Sequence, residues 1–136
     1  MSRHLAILLF FVLSLTAAEG CQKSIGDTCT LSTDCSVQGD RTCDISMPNG
    51  YCTVTPCDPG TCPDSADCVQ FDANNARLAR TYCMSGCSED SDCRSGYHCA
   101  LPDPATCVGD PNALVCNIIT DPRPYNSPGW CVQTDP

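Results

Sequence analysis

Apolar side chains follow two regimes along this chain. From Leu5 to Leu15 they form an almost unbroken run, preceded by Arg3 and His4 and followed by the small-residue exit Thr16-Ala17-Ala18-Glu19-Gly20. A basic head, an apolar stretch and a small-residue exit are the parts of an export signal peptide, here residues 1–20. The run is too short to cross about 30 Å of hydrocarbon comfortably as a helix, and no second such stretch follows, so no transmembrane helix is expected in the mature chain. Beyond Cys21 the large apolar residues thin out into short arms around turns. Ile45 and Tyr51 flank Pro48-Asn49-Gly50, whose Asn-Gly step tolerates the positive φ of a tight hairpin. Val69 and Phe71 stand on one arm and Tyr82 on another, joined by a longer tip from Asp72 to Ala79. Asp72 is a cap candidate for one helical turn there. A third turn, Gly109-Asp110-Pro111-Asn112, precedes Leu114-Val115 and Ile118-Ile119, the most apolar short stretch of the mature chain. Local core duty beneath Trp130 is favoured for it over a binding patch.

Composition changes the meaning of this thin pattern. A length of 136 residues suggests one domain with a single core, yet the chain carries fifteen cysteines, eleven prolines, nine glycines and only 17% charged residues. Burial of so few aliphatic side chains cannot offset the entropy of ordering the backbone. Crosslinks can. A closed loop of about fifteen residues removes roughly 3 kcal/mol of unfolded-chain freedom in the entropic account, so seven bridges could stand in for a core. Zinc is the competing use of so much cysteine, but the chain has no C-x2-C knuckle, and its histidines are His4 in the leader and His98. Disulfides are therefore expected, and with them an oxidising compartment.

Aligned against itself, the chain resolves into three units of four cysteines. Residues 29–56 hold Cys29, Cys35, Cys43 and Cys52, and residues 57–86 hold Cys57, Cys62, Cys68 and Cys83. Residues 87–136 hold Cys87, Cys93, Cys99 and Cys131, with Cys107 and Cys116 closing an inserted loop. An aromatic precedes each fourth cysteine: Tyr51, Tyr82 and Trp130. Acid precedes the second cysteine in the first and third units, as Asp34 and Asp92. The expected fold is small and disulfide-rich: three tandem four-cysteine units with short β-hairpins, little helix and no continuous hydrophobic core. Four cysteines allow three pairings. We favour first-to-third with second-to-fourth, because joining a leading loop to both arms of a hairpin closes more chain than bridging the hairpin to itself.

The count leaves Cys21 alone, directly after the leader, and residues 21–28 as a short linker. Ala18-Glu19-Gly20-Cys21 resembles the lipobox of bacterial lipoproteins, departing from it at Ala18 and Glu19. The resemblance implies a diacylated Cys21 as the new amino terminus. The alternative is ordinary signal-peptidase cleavage after Ala18 or Gly20, with Cys21 free or in an intermolecular bridge. The phrases IGDTCTLSTDC, CSEDSDCRSGYHC and PNGYC, spread over Ile25 to Cys131, resemble the cysteine-rich surface lipoproteins of myxobacteria, whose repeats are similar to the amino-terminal cysteine-rich region of Dickkopf proteins. That resemblance implies architecture and assigns no catalytic residues. The second unit departs from it, lacking an acid before Cys62.

Candidate chemistry is sparse. His98 is the single base of the mature chain suited to nucleophilic catalysis, and it reads as a surface residue beside Cys99. Glu89-Asp90-Ser91-Asp92 offers hard oxygen ligands for calcium, against which stands the plainer reading of a solvated acidic loop. Removing residues 1–20 deletes one base, Arg3, and one acid, Glu19, leaving six bases against fifteen acids and a net charge still at −9. Nucleic acid and bare anionic lipid are poor partners for that surface. The sequence is read as a non-enzymatic, exported, lipid-anchored surface protein without cofactor or metal, acting as a structural or interaction module towards a protein or cell-surface component. The membrane is reached through the anchor only. A secreted disulfide-rich inhibitor or ligand is the alternative.

Overall fold

The computed structural model describes residues 22–64, 66–73, 75, 77–102, 117–122 and 126–134. The leader, Cys21, Cys107, Cys116, the turn from Gly109 to Asn112 and Leu114-Val115 lie outside the described residues.

Each unit repeats one plan. In the first, Ser32–Cys35 makes a single helical turn (α1), and Thr42–Asp44 (β1) pairs antiparallel with Tyr51–Thr53 (β2), setting Cys43 opposite Cys52. The connecting loop reverses through Asn49 and Gly50, both at positive φ, 60° and 68°. Ile45, expected on an arm, lies past the end of β1 and is exposed. In the second unit Ala66–Phe71 (β3) pairs with Arg80–Cys87 (β4), and Cys68 faces Cys83. The tip is a series of turns among the described residues, with the Asn75 carbonyl accepting the amides of Leu78 and Ala79. Asp72 does not cap a helix: its φ of 52° is left-handed, whereas an N-cap needs extended backbone. In the third unit a 3-10 turn, Asp90–Asp92, leads to Tyr97–Ala100 (β5), Ile118–Ile119 (β6) and Gly129–Gln133 (β7), and Cys99 faces Cys131.

In every unit the third and fourth cysteines sit opposite each other on paired arms yet bond elsewhere. The bridges are Cys29–Cys43, Cys35–Cys52, Cys57–Cys68, Cys62–Cys83, Cys87–Cys99 and Cys93–Cys131, with Cα separations of 5.5 to 6.0 Å. This is the crossed pattern, first to third and second to fourth, in all three units.

The units are not separate beads. β4 runs two residues beyond its hairpin, and Gly86 and Cys87 pair with Trp130 and Gly129 of β7, giving one antiparallel sheet in the order β5-β7-β4-β3-β6. β6 pairs with β3 of the second unit, Ile119 opposite Val69, and Ile119 is buried in the same cluster as Trp130, the core duty expected of that stretch. The first unit docks onto β4 through backbone and hydroxyl: Cys83 donates its amide to the Val54 carbonyl at 3.0 Å, and the buried Thr53 hydroxyl donates to the Cys83 carbonyl at 2.8 Å. The Tyr51 hydroxyl accepts the Ser85 amide at 2.8 Å. Arg94 of the third unit lies 4.1 Å over the Tyr97 ring and donates to the Pro48 and Gly50 carbonyls of the first.

The expectation of no continuous core is therefore corrected. One buried cluster runs through all three units, with Ile25 and Tyr51 from the first, Val69 and Met84 from the second, and Tyr97, Ile119 and Trp130 from the third. Cys57, Cys68, Cys83, Cys87 and Cys131 belong to it as well. No hairpin has enough apolar surface of its own, but the shared strand lets each contribute two or three side chains, and cystine sulfur fills the remainder as a small apolar group.

Candidate functional site

The acids flagged by the sequence are structural. Asp34 Oδ2 accepts the amides of Thr30 at 2.8 Å and Leu31 at 3.0 Å, and also the Thr30 hydroxyl. Those bonds hold its carboxyl at about 2, well below the usual range. Asp92 repeats the motif, accepting the amides of Ser88 at 2.8 Å and Glu89 at 3.2 Å, while Asp90 accepts the Cys99 amide at 2.8 Å. The Asp92 carboxylate thus closes the turn that carries Cys93, and Asp90 ties that turn to β5. The second unit lacks the acid but keeps the function: the Thr61 hydroxyl stands in its place and accepts the Asp58 amide at 3.2 Å. The apparent departure of that unit is a substitution of hydroxyl for carboxylate.

A further acidic group, Asp64, Asp67 and Asp121, lines a recess below β3. Asp67 is fully buried and accepts the Asn126 and Ser127 amides and the Ser127 hydroxyl; Asp121 accepts the amides of Gly60 and Cys68. Asp64 pairs with buried Arg41 at 3.3 Å. Three sets of cysteine sulfurs, such as those of Cys29, Cys35 and Cys43, lie within 4.8 Å of one another. They do so because two crossed bridges stack in each unit, and every sulfur in them is already bonded.

His98 sits half-buried on β5 opposite Val132. Its Nδ1 is buried and has no hydrogen-bond partner among the described residues, so no carboxylate orients the ring there. The surface position expected for it holds in part.

What the sequence did not single out is a groove between the first hairpin and the sheet. Met47, Tyr51 and Thr53 form one wall, and Phe71, Tyr82, Met84 and Val132 the other, around a volume of about 280 Å³ with Asp44 and Gln133 at its edge. Phe71 and Tyr82 meet edge to face at 5.8 Å. The three aromatics that precede fourth cysteines separate here. Tyr51 and Trp130 are buried, whereas Tyr82 is only half-buried and presents its ring to the groove.

The chain matches no protein-family model, no curated protein and no solved structure. Among the described residues no helix is long and apolar enough to cross a membrane.

Proposed function

We propose that this protein is an exported, lipid-anchored surface module that holds a crosslinked body close to a membrane and offers it to a protein or cell-surface partner. The observation that carries this reading is the frame of six bridges, two in each unit, which favours an oxidising compartment and supports a rigid body rather than a flexible tether. Parity supports the anchor, since twelve cysteines are consumed in these bridges and the pair expected from the sequence, Cys107 with Cys116, would account for two more of the fifteen. Ile25 is already buried in the first unit, so a lipid on Cys21 would hold that unit within about 15 Å of the bilayer surface at the reach of an extended chain. The resemblance to myxobacterial cysteine-rich lipoproteins points the same way. No catalysis belongs to this reading, because the acids serve turns and His98 lacks an orienting partner among the described residues.

Intact mass of the native protein tests it. An acylated amino-terminal cysteine and detergent-phase partitioning are expected, with Cys21→Ser moving the chain to soluble fractions. An unmodified terminus at Glu19, or recovery of the natural protein from culture medium, would refute the anchor and favour a secreted ligand. Turnover lost on His98→Ala with the bridge map intact would overturn the non-enzymatic reading.

A further inference from the structure

Two arginines of the second hairpin lie near the Phe71 end of the groove. Arg80 pairs with Phe71 across β3 and β4, so the two side chains leave the same face of the sheet with Cβ atoms about 5 Å apart. Arg77 is exposed on the adjoining tip, as is Leu78. The other described bases are engaged: Arg41 with Asp64, Arg94 with Tyr97 and backbone carbonyls, and Lys23 with the Thr28 carbonyl. Among the described residues, Arg77 and Arg80 are the lysine or arginine side chains with no hydrogen-bond or ion-pair partner. On a chain of net charge −9, Arg80 stands beside Phe71 at one end of the recess, with Arg77 on the adjoining tip, while the acid of the lining, Asp44, belongs to the first hairpin.

We propose that this groove docks a segment of a partner protein carrying an aromatic or large aliphatic side chain flanked by carboxylates, the side chain entering between Met47 and Met84 and the carboxylates meeting Arg80 and Arg77. The proposal rests on the interaction-module reading and names its partner's chemistry. The recess, about 280 Å³, lies just below the usual range of small-molecule pockets, a size suited to one or two side chains. Two methionines in its walls give a lining that repacks around side chains of different shape. A discrete segment feels the local field of the two arginines, whereas an extended anionic surface would meet the repulsion of the whole acidic body, since fields fade over about 8 Å at physiological salt. The groove is open to solvent along one side, so a free acyl chain would keep much of its surface in water there.

The sequence provides its own reporters. Met1 lies in the leader, so the mature chain has two methionines, Met47 and Met84, and both line the groove. The oxidised, full-length mature protein with labelled methionine methyls is titrated with three probes: the peptide Glu-Asp-Phe-Asp-Leu-Glu, blocked at both ends; the same peptide with lysine at every acidic position; and decanoate. The acidic peptide is expected to shift both methyl signals saturably and to bind at least about tenfold more tightly than the lysine peptide. A double variant, Arg77→Glu with Arg80→Glu, should reverse that preference with the bridge map unchanged. Both substitutions are on exposed side chains, so the fold is not at stake. Equal binding of the two peptides, or no methyl shift from either at millimolar concentration, would overturn the proposal. Tighter binding of decanoate than of the acidic peptide would overturn it in favour of an amphiphile site. These outcomes are independent of whether Cys21 is acylated, so the anchor and the groove stand or fall separately.

Discussion

Two glycines with nearly the same backbone separate strain from crowding. Gly50, at φ +68°, is also where a Cβ would overlap the carbonyl of Cys29, the residue whose bridge fixes the leading loop to the first hairpin. Gly39, at φ +83°, has nothing within 4 Å of that position. Gly39→Ala should therefore cost only the left-handed penalty of about 1 kcal/mol, and Gly50→Ala at least about 3 kcal/mol, because loop and hairpin must part. Denaturant unfolding of the two oxidised variants measures the difference; equal losses would show that φ alone matters. Asp34 gives a pH signature at the same scale. Its folded carboxyl is depressed to about 2, so its contribution is fully present above the ordinary value of 3.8 and disappears as pH falls through about 2. Carboxyl titration by NMR should place its midpoint near that value, and Asp34→Asn should make stability flatter between pH 4 and about 2. The sequence showed the acid before the second cysteine but not its use, because a carboxylate that caps a turn and one that binds an ion look alike until its amide partners are known.

At the scale of the element, β4 decides the architecture. It serves one hairpin with residues 80 to 85, pairs with β7 through Gly86 and Cys87, and receives the first unit at Cys83 and Ser85. Removing the Tyr51 hydroxyl tests that last contact: Tyr51→Phe leaves the Ser85 amide without its acceptor and should cost about 1 to 3 kcal/mol. Hydrogen exchange should quicken at Ser85 while Cys68 stays protected; unchanged exchange at Ser85 would deny the contact any role. The hairpins and the crossed bridges were legible in the sequence because cysteine spacing and turn residues are local signals. The joining of units was not, since pairing of Gly86 with Trp130, or of Ile119 with Val69, leaves no mark in either segment alone. One clue was present. Only Met84, Ser85 and Gly86 separate the second unit's last cysteine from the third unit's first, too few for a linker that would free the two units from each other. The groove was hidden for the same reason, because its two walls come from hairpins that meet only after docking.

For the molecule as a whole, a shared core implies shared stability. The single tryptophan, Trp130, is buried in the third unit and reports there. Replacing Cys35 and Cys52 of the first unit by alanine should cost about 2 to 5 kcal/mol and shift the unfolding transition seen at Trp130 by that same amount. A Trp130 transition that stays in place would mean that the units melt independently. The crossed bridges carry one more consequence, which concerns manufacture. None of the six described bridges joins cysteines that are neighbours in the sequence. A chain threaded across a membrane amino terminus first offers Cys29 and Cys35 to the oxidant before Cys43 has emerged, so oxidation in order of arrival links the wrong partners. The native set is then reached only when a free thiolate attacks those early bonds and exchanges them. A chain oxidised as it emerges is accordingly expected to need a disulfide-shuffling enzyme. Export into a compartment that has an oxidase but no isomerase should yield soluble, fully oxidised and mis-bridged chains that convert to one species in a glutathione buffer.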